Sequence, residues 1–146
     1  MNIIKTLFIL AITTSNIFGQ TDSTNSVNII IENIDTEVEG SFIIKLFNNE
    51  ENWLEKGLET EIKNLKVFSD SIIVKFNNLK IGNEYAISVL HDEDNDEELD
   101  MSFFPPGPSE GVGVSNNKFR LGPPSWEDAK FLITKDTLNL IIEMNY

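Results

Sequence analysis

The sequence predicts an all-β protein: an antiparallel β-sandwich of about seven strands, transthyretin-like or immunoglobulin-like, with a long Pro/Gly loop. Two observations predict it. Apolar and polar residues alternate in short runs along most of the chain, the period-two pattern of strands with one buried face. The runs are separated by Gly- and Asn-containing breaks such as 48–57 and 77–82, which read as turns. Several short strands with polar turns point to a sandwich.

The elements follow in order. Residues 1–19 read as a secretory signal, with Lys5 as the charged start, an apolar core at 7–12, and Gly19 before Gln20 as the cleavage point. That core is shorter than the roughly 20 residues of a membrane span. The reading is therefore an exported protein, periplasmic or extracellular, with no membrane insertion. No cysteine follows the apolar core to carry a lipid. Residues 20–26 form a polar lead-in expected to be disordered. From Val27 to Ile34 the chain alternates, with Val27, Ile29 and Ile31 on one face. Gly40 opens a second run that aligns Phe42, Ile44 and Leu46. The segment 49–57, NEENWLEKG, reads as a helical turn ended by Gly57, with Trp53 and Leu54 capping the core. A polar strand is expected at 61–68. A stronger one at 70–76 aligns Ile72, Val74 and Phe76, and 84–90 aligns Tyr85, Ile87 and Val89. Residues 131–134 and 137–145 close a single domain spanning 27–146, the last run aligning Leu138, Leu140, Ile142 and Met144.

The strand at 84–90 runs into His91 and the most charged stretch of the chain. Seven of the ten residues in 91–100, HDEDNDEELD, are carboxylates. Asp92, Asp94 and Asp96 fall at alternate positions, the opening of a calcium loop in which positions 1, 3 and 5 converge on one ion. Position 7 supplies a main-chain carbonyl, here Glu98, and position 9 is Asp100. Two positions depart from the full loop. Glu97 stands where Gly makes the sharp turn, and Phe103 stands where a bidentate Glu closes the site. Glu110, Ser102 or water would have to supply the missing oxygen. The other reading is a solvated acidic turn, the common state of a charge run.

Composition narrows the classes. The chain carries a net charge of −13, which disfavours nucleic acid and anionic membranes as partners. Loss of residues 1–19 would remove Lys5 and no acid, making it −14. With no cysteine and one histidine, a structural zinc site lacks ligands; oxygen donors suit calcium. About 125 residues after the signal suffice for one cored domain.

Catalytic signatures are weak, so the protein reads as non-enzymatic. His91 beside Asp92 is read as orienting its loop through hydrogen bonds. Ser115 has no base besides His91. An acid within a water-filled cluster lacks the apolar pocket that tunes a general acid. The glycines of 110–115, EGVGVS, are followed by no phosphate-binding Lys and are read as permitting a tight loop. Five prolines and four glycines make regular structure unlikely across 101–124. Phe103, Phe104 and Phe119 suggest that this segment is ordered and folds over the sandwich end. Trp126 is read as core, although Trp126, Tyr85 and Tyr146 keep a glycan- or protein-binding module open as the alternative. Ser125 three residues before Asp128 has the form of a helix-capping box.

Four motifs also carry a resemblance. They are F-x-N-L-x-x-G-x-x-Y-A-I-x-V-x-H-D at 76–92 followed by Leu99-Asp100, P-x-E-G-x-G-x-S-N-N at 108–117, G-P-P-S-W-E-D-A-x-F at 122–131, and the terminal Tyr146. Together, over about 27–146, they resemble a bacterial family of exported proteins catalogued as domain of unknown function 2141. The family pattern has Asn at the position of Asp94, Gly-Lys at Glu97-Glu98, and aromatics at Val112 and Val114. The resemblance implies an exported β-sandwich with no assigned activity. The stretch 76–87 also looks like the corresponding part of transthyretin-like and carboxypeptidase-regulatory-like sandwiches.

Overall fold

The computed structural model describes residues 25–66, 69–117 and 122–146. The expected signal segment, most of the lead-in and Phe119 lie outside these residues. The alternating runs become strands β1 (Ser26–Glu32), β2 (Ser41–Phe47), β3 (Glu61–Leu65), β4 (Ile72–Phe76), β5 (Glu84–Asp92) and β10 (Thr137–Glu143). Among the described residues between β5 and β10 lie four short strands and two short helical turns: β6 (Met101–Ser102), β7 (Gly107–Pro108), β8 (Gly111–Val114), a 3₁₀ turn (Ser115–Asn117), α1 (Trp126–Ala129) and β9 (Phe131–Leu132). One sheet has the order β10-β1-β4, the other β3-β2-β5-β8 with β9 also on β5.

The core lies between the two sheets. Val27, Ile29 and Ile31 of β1, Val74 and Phe76 of β4 and Ile142 of β10 meet Phe42, Ile44 and Leu46 of β2 and Tyr85, Ile87 and Val89 of β5. These are the residues aligned by the alternation. Strands β2 and β5 are also buried on their other face, where Phe47 and Ala86 pack with Trp126, Ala129 and Trp53. Ser125 caps α1, its Oγ accepting from the Asp128 N–H at 3.2 Å and donating to Asp128 Oδ2 at 2.8 Å. The expected helical turn and its Ser125 N-cap are present.

The structure corrects several expectations. Strand β1 takes in Ser26, which is buried, so the lead-in ends a residue early. Strands β1 and β10 are parallel, from Ser26↔Thr137 to Glu32↔Glu143, in an otherwise antiparallel set among the described strands. A parallel pair needs a crossover connection, and here almost the whole domain lies between the two strands. The segment 49–57 forms successive turns rather than a helix, and Leu54 is exposed while Trp53 alone reaches the core. The segment 101–124 is not one irregular loop, because β6 and β7 pair as a hairpin and β8 joins the main sheet. Gly111 and Gly113 serve strand packing: a Cβ at Gly111 would overlap the Tyr146 ring, and one at Gly113 would lie 2.8 Å from Ile142 Cγ2. Phe103 and Phe104 do not fold over the sandwich end; they point into water.

Candidate metal centre

The acidic stretch leaves the sandwich where β5 ends. Asp92 pairs with Ser41 across β2, and His91 pairs with Gly111 across β8. The root of the loop is therefore inside the sheet, and Asp92 is only 1 % exposed. Gly40, just before β2, sits so close that a Cβ there would collide with the Asp92 main-chain carbonyl. Its φ of 153° also disfavours a side chain.

From this root the loop is folded by its own carboxylates. Asp92 Oδ1 accepts the Asp96 N–H at 3.1 Å and Oδ2 the Glu97 N–H at 3.2 Å. Asp94 Oδ1 accepts the Asp96 N–H at 3.1 Å, and Asp96 Oδ1 the Glu98 N–H at 2.7 Å. Aspartate bonding its own backbone two residues on is the physical basis of such turns. The outcome is that carboxylate oxygens of Asp92, Asp94 and Asp96 lie within 4.8 Å of one another, with Asp92 buried and the other two exposed.

The missing glycine is explained by backbone geometry. Glu97 takes φ 64° and Asn95 φ 63°. Asn tolerates this left-handed region well, whereas Glu bears a cost of about 1–2 kcal/mol. The chain makes the turn that Gly would have made, with strain at Glu97.

The remaining expected residues are placed as follows. The Glu98 side chain faces outward to Lys56, Nζ to Oε1 2.8 Å, and that lysine holds the exposed carboxyl below the usual range. Asp100 is exposed and lies outside the three-aspartate group; its N–H donates to Glu110 Oε2 at 3.0 Å. Glu110 is buried and uses its other oxygen to accept the Glu93 N–H at 2.9 Å. One carboxylate thus ties the two ends of the loop together. Glu93 Oε1 reciprocates by accepting the Gly111 N–H at 3.3 Å. Glu110 was readable only as a possible ligand, because nothing in its neighbourhood in sequence says that it faces residues 93 and 100. The available signal was a single charged residue in the otherwise uncharged run 101–117.

His91 is 2 % exposed and stacks on Phe42, ring centroids 4.2 Å apart. Its Nδ1 lies 3.0 Å from the Tyr146 hydroxyl, which also accepts the Asp35 N–H at 3.1 Å. The histidine thus anchors the last residue of the chain beneath the loop. Burial pushes its pKa down, against the pull of Glu93, Asp35, Glu110 and Asp92. Burial likewise pushes the Tyr146 phenol up. Ser115 is buried, its Oγ accepting from the Ile87 N–H at 2.9 Å and donating to the Ala129 carbonyl at 2.5 Å. Trp126 is 5 % exposed, so it has no open face for a sugar ring.

The chain matches a family model over residues 29–140. It belongs to the family described as an uncharacterized protein conserved in bacteria, domain of unknown function 2141. The match spans β1 to β10 and includes the acidic loop and the Glu110 clamp. No curated protein and no solved structure matches the chain. Among the described residues, no helix is long and apolar enough to cross a membrane.

Proposed function

We propose that this member of the family is an exported, non-enzymatic β-sandwich whose acidic loop binds calcium. The observation that carries the proposal is the approach of Asp92, Asp94 and Asp96 to within 4.8 Å on a loop rooted in the sheet. Three carboxylates at that spacing repel one another. A hard divalent cation turns the repulsion into attraction, and an all-oxygen donor set selects calcium over zinc-class metals. Calcium takes about six to eight oxygens. Asp92, Asp94 and Asp96 would supply carboxylate oxygens, Glu98 its main-chain carbonyl, Asp100 an oxygen directly or through water, and solvent the rest.

With Asp92 the one buried ligand residue and Asp94, Asp96, Glu98 and Asp100 exposed, the ion would be wet, which suits affinities of about 10⁻⁴–10⁻³ M, adequate outside a cell. The non-enzymatic reading is supported by His91 and Ser115, the two side chains best suited to catalysis, because both are buried and committed to structural bonds. Export rests on residues 1–19.

Isothermal calorimetry and thermal melting of the mature chain, with calcium and then with excess chelator, test the site. Calcium at a hundredfold excess over Kd should stabilise the fold by about 2.7 kcal/mol, and Asp94→Asn/Asp96→Asn should abolish both the heat and the shift. An unchanged melting temperature with no binding heat would end the calcium proposal.

A further inference from the structure

The least expected surface of the molecule is the tip of the β6–β7 hairpin. Phe103 is 97 % and Phe104 89 % exposed, and Met101 and Leu99 at its base are 65 % and 46 % exposed. Exposed apolar side chains gathered in one place mark interaction sites, whereas scattered ones need no explanation. The hairpin is held in this position. Met101 pairs with Pro108 and Ser102 with Gly107. At the base, the Ser109 N–H donates to the Asp100 carbonyl at 3.0 Å, and Asp100 N–H is held by the buried Glu110.

Each ring shows nearly all of its surface, so neither covers the other. Two adjoining rings exposed on nearly every side are buried most fully by an apolar socket that encloses the tip.

The charge around the tip restricts what that socket can be. Asp94, Asp96, Glu97, Glu98 and Asp100 are exposed on the adjoining loop. Residues 91–117 contain no lysine or arginine, and Lys56, which reaches the loop, is paired with Glu98. An anionic lipid surface repels such a collar, and so does a second copy of a chain with net charge −13. We propose that the Phe103–Phe104 tip is the docking anchor for a different protein, one with a deep apolar socket rimmed by lysine or arginine. Paired aromatics in a desolvated pocket are the usual energetic centre of an interface. Opposite charges on the two rims would steer the encounter. The proposal does not depend on the calcium reading: the tip is exposed in either case, and one divalent ion would offset only two of the seven carboxylate charges in 91–100, leaving the collar anionic.

The test places the photo-crosslinker p-benzoylphenylalanine at position 104 in the cells that produce the protein, followed by mass-spectrometric mapping of the adduct. The expected result is one discrete adduct to another protein, through an apolar segment flanked by Lys or Arg. With that partner purified, Phe103→Ser should weaken binding at least about thirtyfold, as for a hot-spot residue. Glu97→Lys should slow association several-fold at low salt and much less at high salt. Phe103→Ser should leave the melting temperature of the isolated protein unchanged, separating docking from folding. Adducts to lipid only, adducts to a second copy only, absence of any discrete adduct, or an adduct site without cations would each overturn the proposal.

Discussion

The two ends of β5 are closed by opposite chemistry. At the Glu84 end, Ala86 lies under Phe47, Trp53 and Trp126, with Trp53 edge-on to both rings at 5.2 and 6.0 Å. The Trp53 indole N–H there is met by the Pro124 carbonyl at 2.8 Å. At the Asp92 end, the chain is closed by buried Asp92 and Glu110 accepting backbone N–H groups. The apolar end stabilises through area removed from water, which is tolerant of detail. The acidic end depends on particular donors facing particular oxygens, and losing a partner there leaves an orphaned group. The first end serves folding; the second is where the proposed calcium ion would act.

The largest expected effect breaks the apolar end. Trp126→Ala should cost about 3–5 kcal/mol in urea unfolding, as for aromatic-to-alanine changes in cores. Retained stability would mean that the Trp126 cluster does not close this end. Next, Glu110→Ala should cost about 2–4 kcal/mol, because the N–H groups of residues 93 and 100 lose charged acceptors. Amide exchange should accelerate at those two positions while β1 and β4 stay protected. Gly40→Ala should cost about 1–3 kcal/mol by overpacking against the main chain of Asp92. That strain has no flexible side chain to absorb it. A melt matching the parent would refute the close approach.

Two smaller effects sharpen the comparison. Glu97→Gly should stabilise the ion-free protein by roughly 0.5–1 kcal/mol, since relief of left-handed strain exceeds the entropy glycine adds. A destabilised variant would show that the turn is not strained. The pH effect comes from His91. Its folded pKa lies below the unfolded value of 6.5, so the unfolded chain binds the proton first as pH falls. Its contribution is complete above 6.5 and is lost as pH drops through the lowered value. The urea midpoint should therefore fall between about pH 7.5 and 5.5, above the range where most carboxylates titrate. His91→Gln should flatten that slope.

Some of this was legible in the residues alone. The alternating runs placed β1, β2, β4, β5 and β10 and named their buried faces, because a strand's inward residues are set by its period and need no partner to be known. Strand β8 escaped notice. Its glycines carry no hydrophobic signal, and their reason, room for the Tyr146 ring and Ile142, is a contact between residues about 30 positions apart. The aromatics of the 101–108 segment misled for a related reason. Composition says that a ring prefers burial, but not whether the backbone lets it reach the core.

The acidic loop divides along the same line. The chain's own residues determined the sandwich class, the family motifs and the alternate spacing of Asp92, Asp94 and Asp96, all of which arise from neighbours within a few positions. Only the tertiary structure decided that Asp92 is buried, that Glu110 ties residues 93 and 100 together, that His91 holds Tyr146, and that β10 runs parallel to β1. Each of these joins distant parts of the chain, and local periodicity carries no information about which distant donor will meet which acceptor.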